Sequence, residues 1–401
     1  MNAASTSGLK GAGFCTVVGV LLLTGCAEAQ RDADLPDLLR DLPEWEISSE
    51  PVLTLGGHAA DANAVFHFPT SVQWLENGLL LVADQGPRQI RLFDEGDHVR
   101  TFGREGEGPG EYRSLRSVGR LAGDTLVVFD PQGQRITWLL PAGQVVRTVP
   151  LTEWSSALEA LQDQSPGEMM TAIRAYPASD GGVLVEGFSE PLLGGAEIDG
   201  GHRFSRIPFV HFDSEGSFTE ILGPYRGTEE FEHDGSRTIV SLGDRMLLAT
   251  WEGELWMTRR HDPEFQRIHP PDGEVAWSVD FPARPISDET WASLIEGRIQ
   301  GMVPDARERT AERLNAMPRP DRKPALDRFL IGLDGRFWVR QYSPPSAEHS
   351  WWWVFEADGT PLAGLRLALD QEIVAARRDQ VVIQTIDDLD VEEFRIHDLM
   401  F

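Results

Sequence analysis

Seven polar residues of this 401-residue chain are of the types that hold a divalent ion or move protons in hydrolytic enzymes. They are His58, Asp61, His67, Glu186, Glu190, His211 and Asp213. Carboxylate oxygens would suit Ca²⁺, and imidazole nitrogens would add affinity for Zn²⁺. Neither a His-Glu-x-x-His motif nor paired cysteines accompany them. The spacing therefore predicts no catalytic residue, no metal ligand and no resident cofactor, and leaves Ca²⁺ as an open alternative.

The segment His211-Phe-Asp213 is the one place where two of these residues alternate along a strand. Alternation would direct both polar groups to the same face of a sheet. Asp213 also opens the turn 213-DSEG-216, where an aspartate caps the backbone for purely local reasons. Both interpretations stay open at this point.

The stretch 102-FGREGEGPGEY-112 has the glycine content of a loop that could cradle a phosphate. A phosphate loop also needs a lysine and a hydroxyl residue after its glycines, followed by an apolar helix. Here Glu105, Glu107 and Glu111 would repel an anion, and the next runs, 115–121 and 125–130, have the composition of strands. The loop is predicted to turn a corner between two repeats. A Gly-x-Ser-x-Gly elbow, the mark of a serine hydrolase, does not occur either.

Three consecutive tryptophans, Trp351, Trp352 and Trp353, could form a stacking platform for a sugar or another planar ligand. On a strand, the first and third would share one face and the second would take the other. Strands in the middle of a stacked sheet bury both faces, which favours a role in the core.

The N-terminus is typical of an exported protein. Residues 1–25 read as a signal peptide, with the apolar run 14-FCTVVGVLLL-23 too short for an ordinary membrane span. Leu23-Thr24-Gly25-Cys26 has the pattern of a bacterial lipobox, which predicts lipid attachment to Cys26 in the cell envelope. Ala27 favours the outer membrane. A plain secretory signal is the alternative. Cys15 is the only other cysteine, so the mature chain would have no disulfide.

The net negative charge of the chain argues against polyanionic partners. The formal net charge is −28 at pH 7, and no basic stripe interrupts it. Such a chain is repelled by nucleic-acid backbones and anionic headgroups. We expect no nucleic-acid partner, a membrane contact made through the lipid alone, and a monomer whose protein, carbohydrate or other small-molecule ligand is unspecified. Residues 26–45 are predicted to be an acidic tether.

The elements that would position these residues are short strands in a repeating pattern. Six Gly-containing or polar turns each precede a very apolar strand, at 72–84, 118–130, 173–188, 239–251, 329–342 and 373–386. Five further turns join later strands, at 91–102, 138–149, 210–222, 268–281 and 354–367. The sixth unit lacks a fourth strand, which the run 46–55 could supply.

Radial stacking of such units predicts an all-β fold, a six-bladed β-propeller of four-stranded blades over residues 46–401, closed by an N-terminal strand. A β-sandwich or two smaller β domains are the alternatives. A helical insertion is predicted at about 286–326, with Ser287 as its cap. It would cover the edge of a blade or roof the central channel.

The segment 68–112 resembles an NHL-type propeller repeat, with Pro69, Val82-Ala83-Asp84, Arg88-Gln89-Ile90 and a closing Gly-Pro-Gly-Glu-Tyr. The whole chain resembles the bacterial six-bladed propeller lipoproteins. The resemblance implies that Asp84 and Arg88 tie a loop to its blade. It implies no activity, since propellers include lactonases, lyases and pure binding scaffolds. We expect a lipid-anchored binding scaffold without catalysis. The alternative is a hydrolase, lactonase or lyase with a divalent ion in the central tunnel.

Overall fold

A computed structural model describes residues 35–57, 61–151, 153–164, 168–191, 201–233, 236–270, 274–387 and 389–401. The predicted signal peptide and Cys26 lie outside these residues. The N-terminal elements are a short helix and two strands: α1 (Asp37–Arg40), β1 (Glu44–Ile47) and β2 (Leu53–Gly56).

Two antiparallel four-stranded sheets follow in chain order. The first comprises β3 (Pro69–Trp74), β4 (Leu80–Asp84), β5 (Gln89–Asp94) and β6 (Asp97–Phe102). The second comprises β7 (Ser117–Arg120), β8 (Leu126–Asp130), β9 (Arg135–Leu139) and β10 (Val145–Pro150). Strands β4 and β8 are buried at every position, as their apolar composition predicts.

The third sheet has five strands and is preceded by helix α2 (Trp154–Gln164). Its strands are β11 (Glu168–Pro177), β12 (Val183–Pro191), β13 (His202–Phe212), β14 (Phe218–His233) and β15 (Ser236–Ile239). A further four-stranded sheet comprises β16 (Met246–Trp251), β17 (Glu254–Arg259), β18 (Glu264–His269) and β19 (Val275–Ser278).

The fourth repeat begins later than the sequence pattern predicts. The run 239–251 was expected to hold its first two strands around Gly243. Instead β15 pairs with β14, and the apolar run of β16 is the first strand of the next sheet. The first turn of that sheet is Glu252-Gly253, both at positive φ (49° and 84°). A Gly turn followed by an apolar strand looks alike in sequence whether that strand is the first or the second of a sheet.

The remaining strands form one nine-stranded sheet. Two helices precede it, α3 (Asp288–Ile299) and α4 (Pro304–Ala316). Its strands after β1 and β2 are β20 (Leu326–Ile331), β21 (Phe337–Gln341), β22 (His349–Phe355), β23 (Pro361–Ala368), β24 (Glu372–Arg377), β25 (Gln380–Ile386) and β26 (Glu392–Met400). β1 joins two antiparallel meanders into this sheet, since it pairs with both β23 and β26.

The N-terminal segment closes the last meander with two strands rather than one. β2 pairs antiparallel with β26, through Leu53 and Ile396, and β1 pairs with the end of the same strand. The predicted tether, 26–45, is not a free linker from Leu35 onward. Leu35 and Leu39 are buried in a core cluster with Phe265, because their apolar side chains cover the neighbouring sheets.

The sheets are propeller-like, because their first strands contact one another around a common channel. β3 contacts β7 and β24, β7 contacts β11, β16 contacts β20, and β20 contacts β24. β11 reaches the next sheet through β17.

The helical insertion packs on the edge of the five-stranded sheet. Ser287 caps α3 by accepting a hydrogen bond from the Thr290 N–H, as predicted. Ile299 and Leu314 from the two helices pack against Phe231 and Val240. The helices line none of the channel cavities described below, which favours the edge-covering interpretation.

Candidate functional site

Three cavities follow the central channel, and the first strand of every antiparallel set lines at least one of them. A cavity of about 210 Å³ lies towards the ends of β3, β7, β16, β20 and β24. Two others, of about 360 and 270 Å³, lie towards the beginnings of β3, β16, β20 and β24 and share Arg328 and Phe329. We call the end of the channel that holds these two cavities the arginine mouth.

The 270 Å³ cavity of the arginine mouth brings together three guanidinium groups from distant parts of the chain. Arg174 lies on β11, Arg245 directly precedes β16, and Arg328 lies on β20. Two acidic residues, Glu186 and Asp327, line the same cavity. The cavity therefore carries one more cation than anion, in a chain whose formal net charge is −28.

The carboxylates at this mouth already have partners. Asp327 Oδ1 lies 2.6 Å from Arg340 Nε. Glu372, which lines the neighbouring cavity, contacts Arg328 and lies 3.6 Å from Arg340 Nη1. Glu186 accepts a hydrogen bond of 2.6 Å from the Tyr176 hydroxyl. A Ca²⁺ ion in the channel would have to displace these contacts to collect oxygen ligands.

Arg245 is the least satisfied of the guanidinium groups. Its Nη2 donates to the Asp327 carbonyl at 3.0 Å, but its buried Nε has no hydrogen-bond partner among the described residues. Burial lowers the pKa of Arg245, and the positive charges of Arg328 and Arg340 lower it further, against the attraction of Asp327. Partial burial of crowded cations is costly unless an anion compensates them.

A fourth guanidinium group behind the mouth adds to this crowding. Burial lowers the pKa of Arg260 to about 10, and repulsion from Arg245 contributes. Arg260 donates to the carbonyls of Leu326 and Gly243. These bonds hold it beside β20, so its charge adds to the positive potential at the mouth.

Tyr176 links two groups of the cavity wall. Its hydroxyl is hydrogen-bonded to Arg174 and donates to Glu186. Burial, and next the neighbouring Glu186 carboxylate, raise the pKa of Tyr176 well above its usual value. The hydroxyl therefore stays protonated, and it orients Glu186 on β12.

A second cluster of titratable groups lies outside these cavities. Asp180 follows β11, and His211 and His269 lie near or at the ends of β13 and β18. One ligand atom of each lies within 4.8 Å of the others. His211 Nε2 is 3.1 Å from Asp180 Oδ2, and the two imidazole centroids are 4.8 Å apart. Burial lowers the pKa of His269, and the neighbouring His211 adds to the effect.

The seven residues considered in the sequence are not brought together. Asp61 caps a short turn by accepting from the Asn63 N–H, and the His67 side chain is exposed. Asp213 accepts from the backbone of its own turn, at Glu215 and Ser217, so it acts as a local cap. His58 and the side chain of Glu190 lie outside the described residues. Glu186 lines the arginine mouth and His211 belongs to the second cluster.

Asp84 and Arg88 have the structural roles that the repeat resemblance implies. The buried Asp84 carboxylate accepts from the His67 N–H at 2.9 Å and faces Arg91 Nη2 at 3.4 Å. Arg88 Nε donates to the Arg113 carbonyl at 2.9 Å. Asp84 thus ties its loop to the blade, with Arg91 rather than Arg88 as its guanidinium partner.

The glycine-rich loop and the tryptophan run are structural as well. The loop 102–112 connects β6 to β7, and Glu111 accepts from the Gly108 N–H at 2.8 Å and pairs with Arg104. Trp351 and Trp353 stack with centroids 5.3 Å apart. Trp352 and Trp353 are buried in two core clusters.

Sequence reasoning missed the arginines of the mouth, as well as Asp180 and His269. Arg174, Arg245 and Arg328 are far apart in the chain; two of them lie within inner strands and Arg245 directly precedes one. One signal was available. Most positions of an inner propeller strand are apolar or small, so a charged residue there indicates the channel.

Comparisons with known proteins give structural likenesses at low identity. No protein-family model and no curated protein matches the chain. A candidate exported protein from Bacteroides fragilis has 12% identity and a TM-score of 0.48, covering 89% of this chain and 95% of its own. A member of the DUF4221 family from Bacteroides vulgatus has 10% identity and a TM-score of 0.47, covering 90% and 99%.

A gluconolactonase from Xanthomonas campestris has 13% identity and a TM-score of 0.39, covering 89% of this chain and 98% of its own. At such identities a structural likeness carries no information about activity. Within the described residues, no helix has the length and apolarity required to cross a bilayer.

Proposed function

We propose that this protein is a lipid-anchored, extracytoplasmic six-bladed β-propeller that binds a small organic anion at the arginine mouth. The observation that carries the proposal is the convergence of Arg174, Arg245 and Arg328 on one cavity. The protein acts as a binding scaffold, and the proposal assigns it no catalysis.

The count of six blades rests on the strand pairing. Three sheets of four strands, one of five, and two meanders within the nine-stranded sheet give six antiparallel sets. The last set is completed by β2, in the manner of a ring closed by its own N-terminus. The first strands of all six line the channel cavities.

The chemistry of the cavity favours a carboxylate attached to an uncharged body. Guanidinium groups bind carboxylates through paired, charge-assisted hydrogen bonds. The excess of one cation matches a monovalent anion. Ile207, Leu247 and Phe329 line the same cavity and offer apolar contact to the body of the ligand. Cavities of this size and mixed lining suit small molecules rather than polymers.

Lipid attachment at Cys26 is tested by substitution. Cys26→Ser is expected to abolish labelling by radioactive palmitate and to release the protein from the membrane fraction. Cys15→Ser, within the signal peptide, is the matched control and should be retained. Unchanged fractionation of the Cys26→Ser protein would refute the anchor.

Anion binding is tested by thermal unfolding of the purified protein with galacturonate, gluconate, benzoate or neutral galactose at constant ionic strength. A ligand present at a hundred times its Kd stabilises the folded state by about 2.7 kcal/mol. At least one carboxylate should raise the Tm, and galactose should not. The shift should be lost in a protein carrying Arg174→Gln and Arg328→Gln. It should persist in Arg322→Gln, which removes a surface partner of Asp262.

The proposal fails if none of the three carboxylates raises the Tm above the value in sodium chloride. It fails equally if neutral galactose raises the Tm as much as the most stabilising carboxylate does.

A further inference from the structure

The cluster of Asp180, His211 and His269 has the composition of a metal site, and it lies apart from the arginine mouth. None of the three residues lines a channel cavity described above. His211 is 5% exposed and His269 is 6% exposed. Two imidazoles this deeply buried need a partner for each ring nitrogen.

The hydrogen bonds of Thr219 fix the tautomer of His211. The Thr219 hydroxyl donates to the His211 carbonyl at 3.0 Å, which uses its only proton. The same oxygen lies 2.8 Å from His211 Nδ1, and both contacts are satisfied together when the hydroxyl accepts from a proton on Nδ1. In the neutral ring the lone pair is therefore on Nε2.

That lone pair faces a carboxylate. His211 Nε2 is 3.1 Å from Asp180 Oδ2, and the contact does not have hydrogen-bond geometry, since Nε2 is without a hydrogen-bond partner in the described part of the chain. His269 Nδ1 is also buried without such a partner. The lone pair of His211 Nε2 and the Asp180 carboxylate repel one another unless a proton or a metal cation lies between them.

We propose that Asp180, His211 and His269 bind a divalent transition-metal ion of the Zn²⁺ type. Two imidazoles and one carboxylate are a ligand set that Zn²⁺ accepts, with water in the fourth position. The contact from Thr219 to Nδ1 is the kind of outer bond that orients a ligating histidine. Asp180 has 45% of its side chain exposed, so its carboxylate is free to move from the solvent side towards a metal ion held by the two imidazoles.

The site would join two neighbouring sheets. Asp180 and His211 belong to the five-stranded sheet and its first turn, whereas His269 ends β18 of the next sheet. The electrostatic surroundings suit a cation, because Glu220 and Glu254 also act on His269. A metal bound only by the folded state would stabilise the packing of these two sheets.

The test is metal binding by the untagged, purified protein after treatment with EDTA. We expect one equivalent of Zn²⁺ per chain at micromolar concentration, a rise in Tm on adding Zn²⁺, and the visible absorption of four-coordinate Co²⁺ after Co²⁺ is substituted. Asp180→Asn keeps the acceptor for the Gly182 N–H and removes the charge. It should bind at least about tenfold more weakly, and His269→Gln should not bind stoichiometrically.

His98→Gln is the matched control, since His98 lies in the first sheet and contacts Thr101. It should bind Zn²⁺ like the unaltered chain. Absence of stoichiometric Zn²⁺ binding by the unaltered chain would overturn the proposal. Zinc binding by Asp180→Asn and His269→Gln that is as tight as in the unaltered chain would overturn it as well. The anion experiments at the arginine mouth stay independent of either result.

Discussion

The carboxylates that tie loops to the blades are buried, whereas Arg174 and Arg328 of the channel mouth are exposed and Arg245 is partly buried. The two groups also differ in how completely they are paired. Asp130, with a side chain 1% exposed, accepts from the N–H groups of Arg113, Ser114 and Gly133 at 2.9–3.0 Å and faces Arg135 Nε at 3.3 Å. Arg245, by contrast, keeps a buried Nε without a partner in the described chain.

This difference in pairing distinguishes charges that stabilise the fold from charges that are available to bind a ligand. A buried charge with a full set of partners stabilises the fold and offers nothing to a ligand. Crowded cations with unused donors lower stability, and such a cost is typical of a binding site. Matched substitutions in the two regions test this difference in stability.

The largest effect is expected for Asp130→Ala. The substitution leaves three backbone donors and Arg135 without their shared acceptor, and should lower the free energy of unfolding by about 3 kcal/mol. Urea unfolding followed by tryptophan fluorescence measures it. Asp358→Ala is the control, because Asp358 caps an exposed turn through the Thr360 N–H, and it should change little. Equal losses in the two variants would contradict the role of Asp130.

Next in size is the contrast between Arg135→Met and Arg245→Met. Arg135 also donates to the Glu107 carbonyl at 2.6 Å, and its loss should cost about 2 kcal/mol. Arg245→Met removes a crowded cation, so the free energy of unfolding should stay within about 1 kcal/mol or rise. The same urea experiment compares them. Strong destabilisation by Arg245→Met would show that this arginine is structural.

The smallest effect concerns pH and His269 in protein kept metal-free with EDTA. Burial and His211 hold the pKa of His269 below 6.5 in the folded state. As pH falls below 6.5, the unfolded chain takes up the proton first, so stability is lost. His269→Gln should therefore lose less stability between pH 7 and pH 5 than the unaltered chain, and His98→Gln should not. The same loss of stability between pH 7 and pH 5 in the unaltered chain, His269→Gln and His98→Gln would contradict this prediction.

The sequence predicts much of the fold because turns and apolar strands leave local marks. The β4 and β8 strands, the cap at Ser287 and the buried tryptophans follow from patterns within a few residues. The shift of the fourth repeat does not, because β15 continues a pairing with β14 that only the assembled sheet reveals. The burial of Leu35 and Leu39 was likewise not predicted, because both residues lie in an acidic, proline-containing segment.

The candidate sites were largely beyond sequence reasoning for the same reason. Arg174, Arg245 and Arg328 meet only once three sheets surround the channel. His211 was singled out by its alternation with Asp213, but its partners Asp180 and His269 come from other strands. A site assembled from residues of different sheets leaves no characteristic residue spacing in the sequence.

The most direct test of the central claim is a calorimetric titration of the purified protein with whichever of galacturonate, gluconate and benzoate raises the Tm most, run beside Arg245→Met and Arg322→Gln. The account predicts one site per chain in the unaltered protein and in Arg322→Gln, no heat with galactose, and an affinity at least about tenfold lower in Arg245→Met, the loss expected for a charge-assisted hydrogen bond. Equal affinity in Arg245→Met, or no binding of any of the three carboxylates by the unaltered protein, would contradict it.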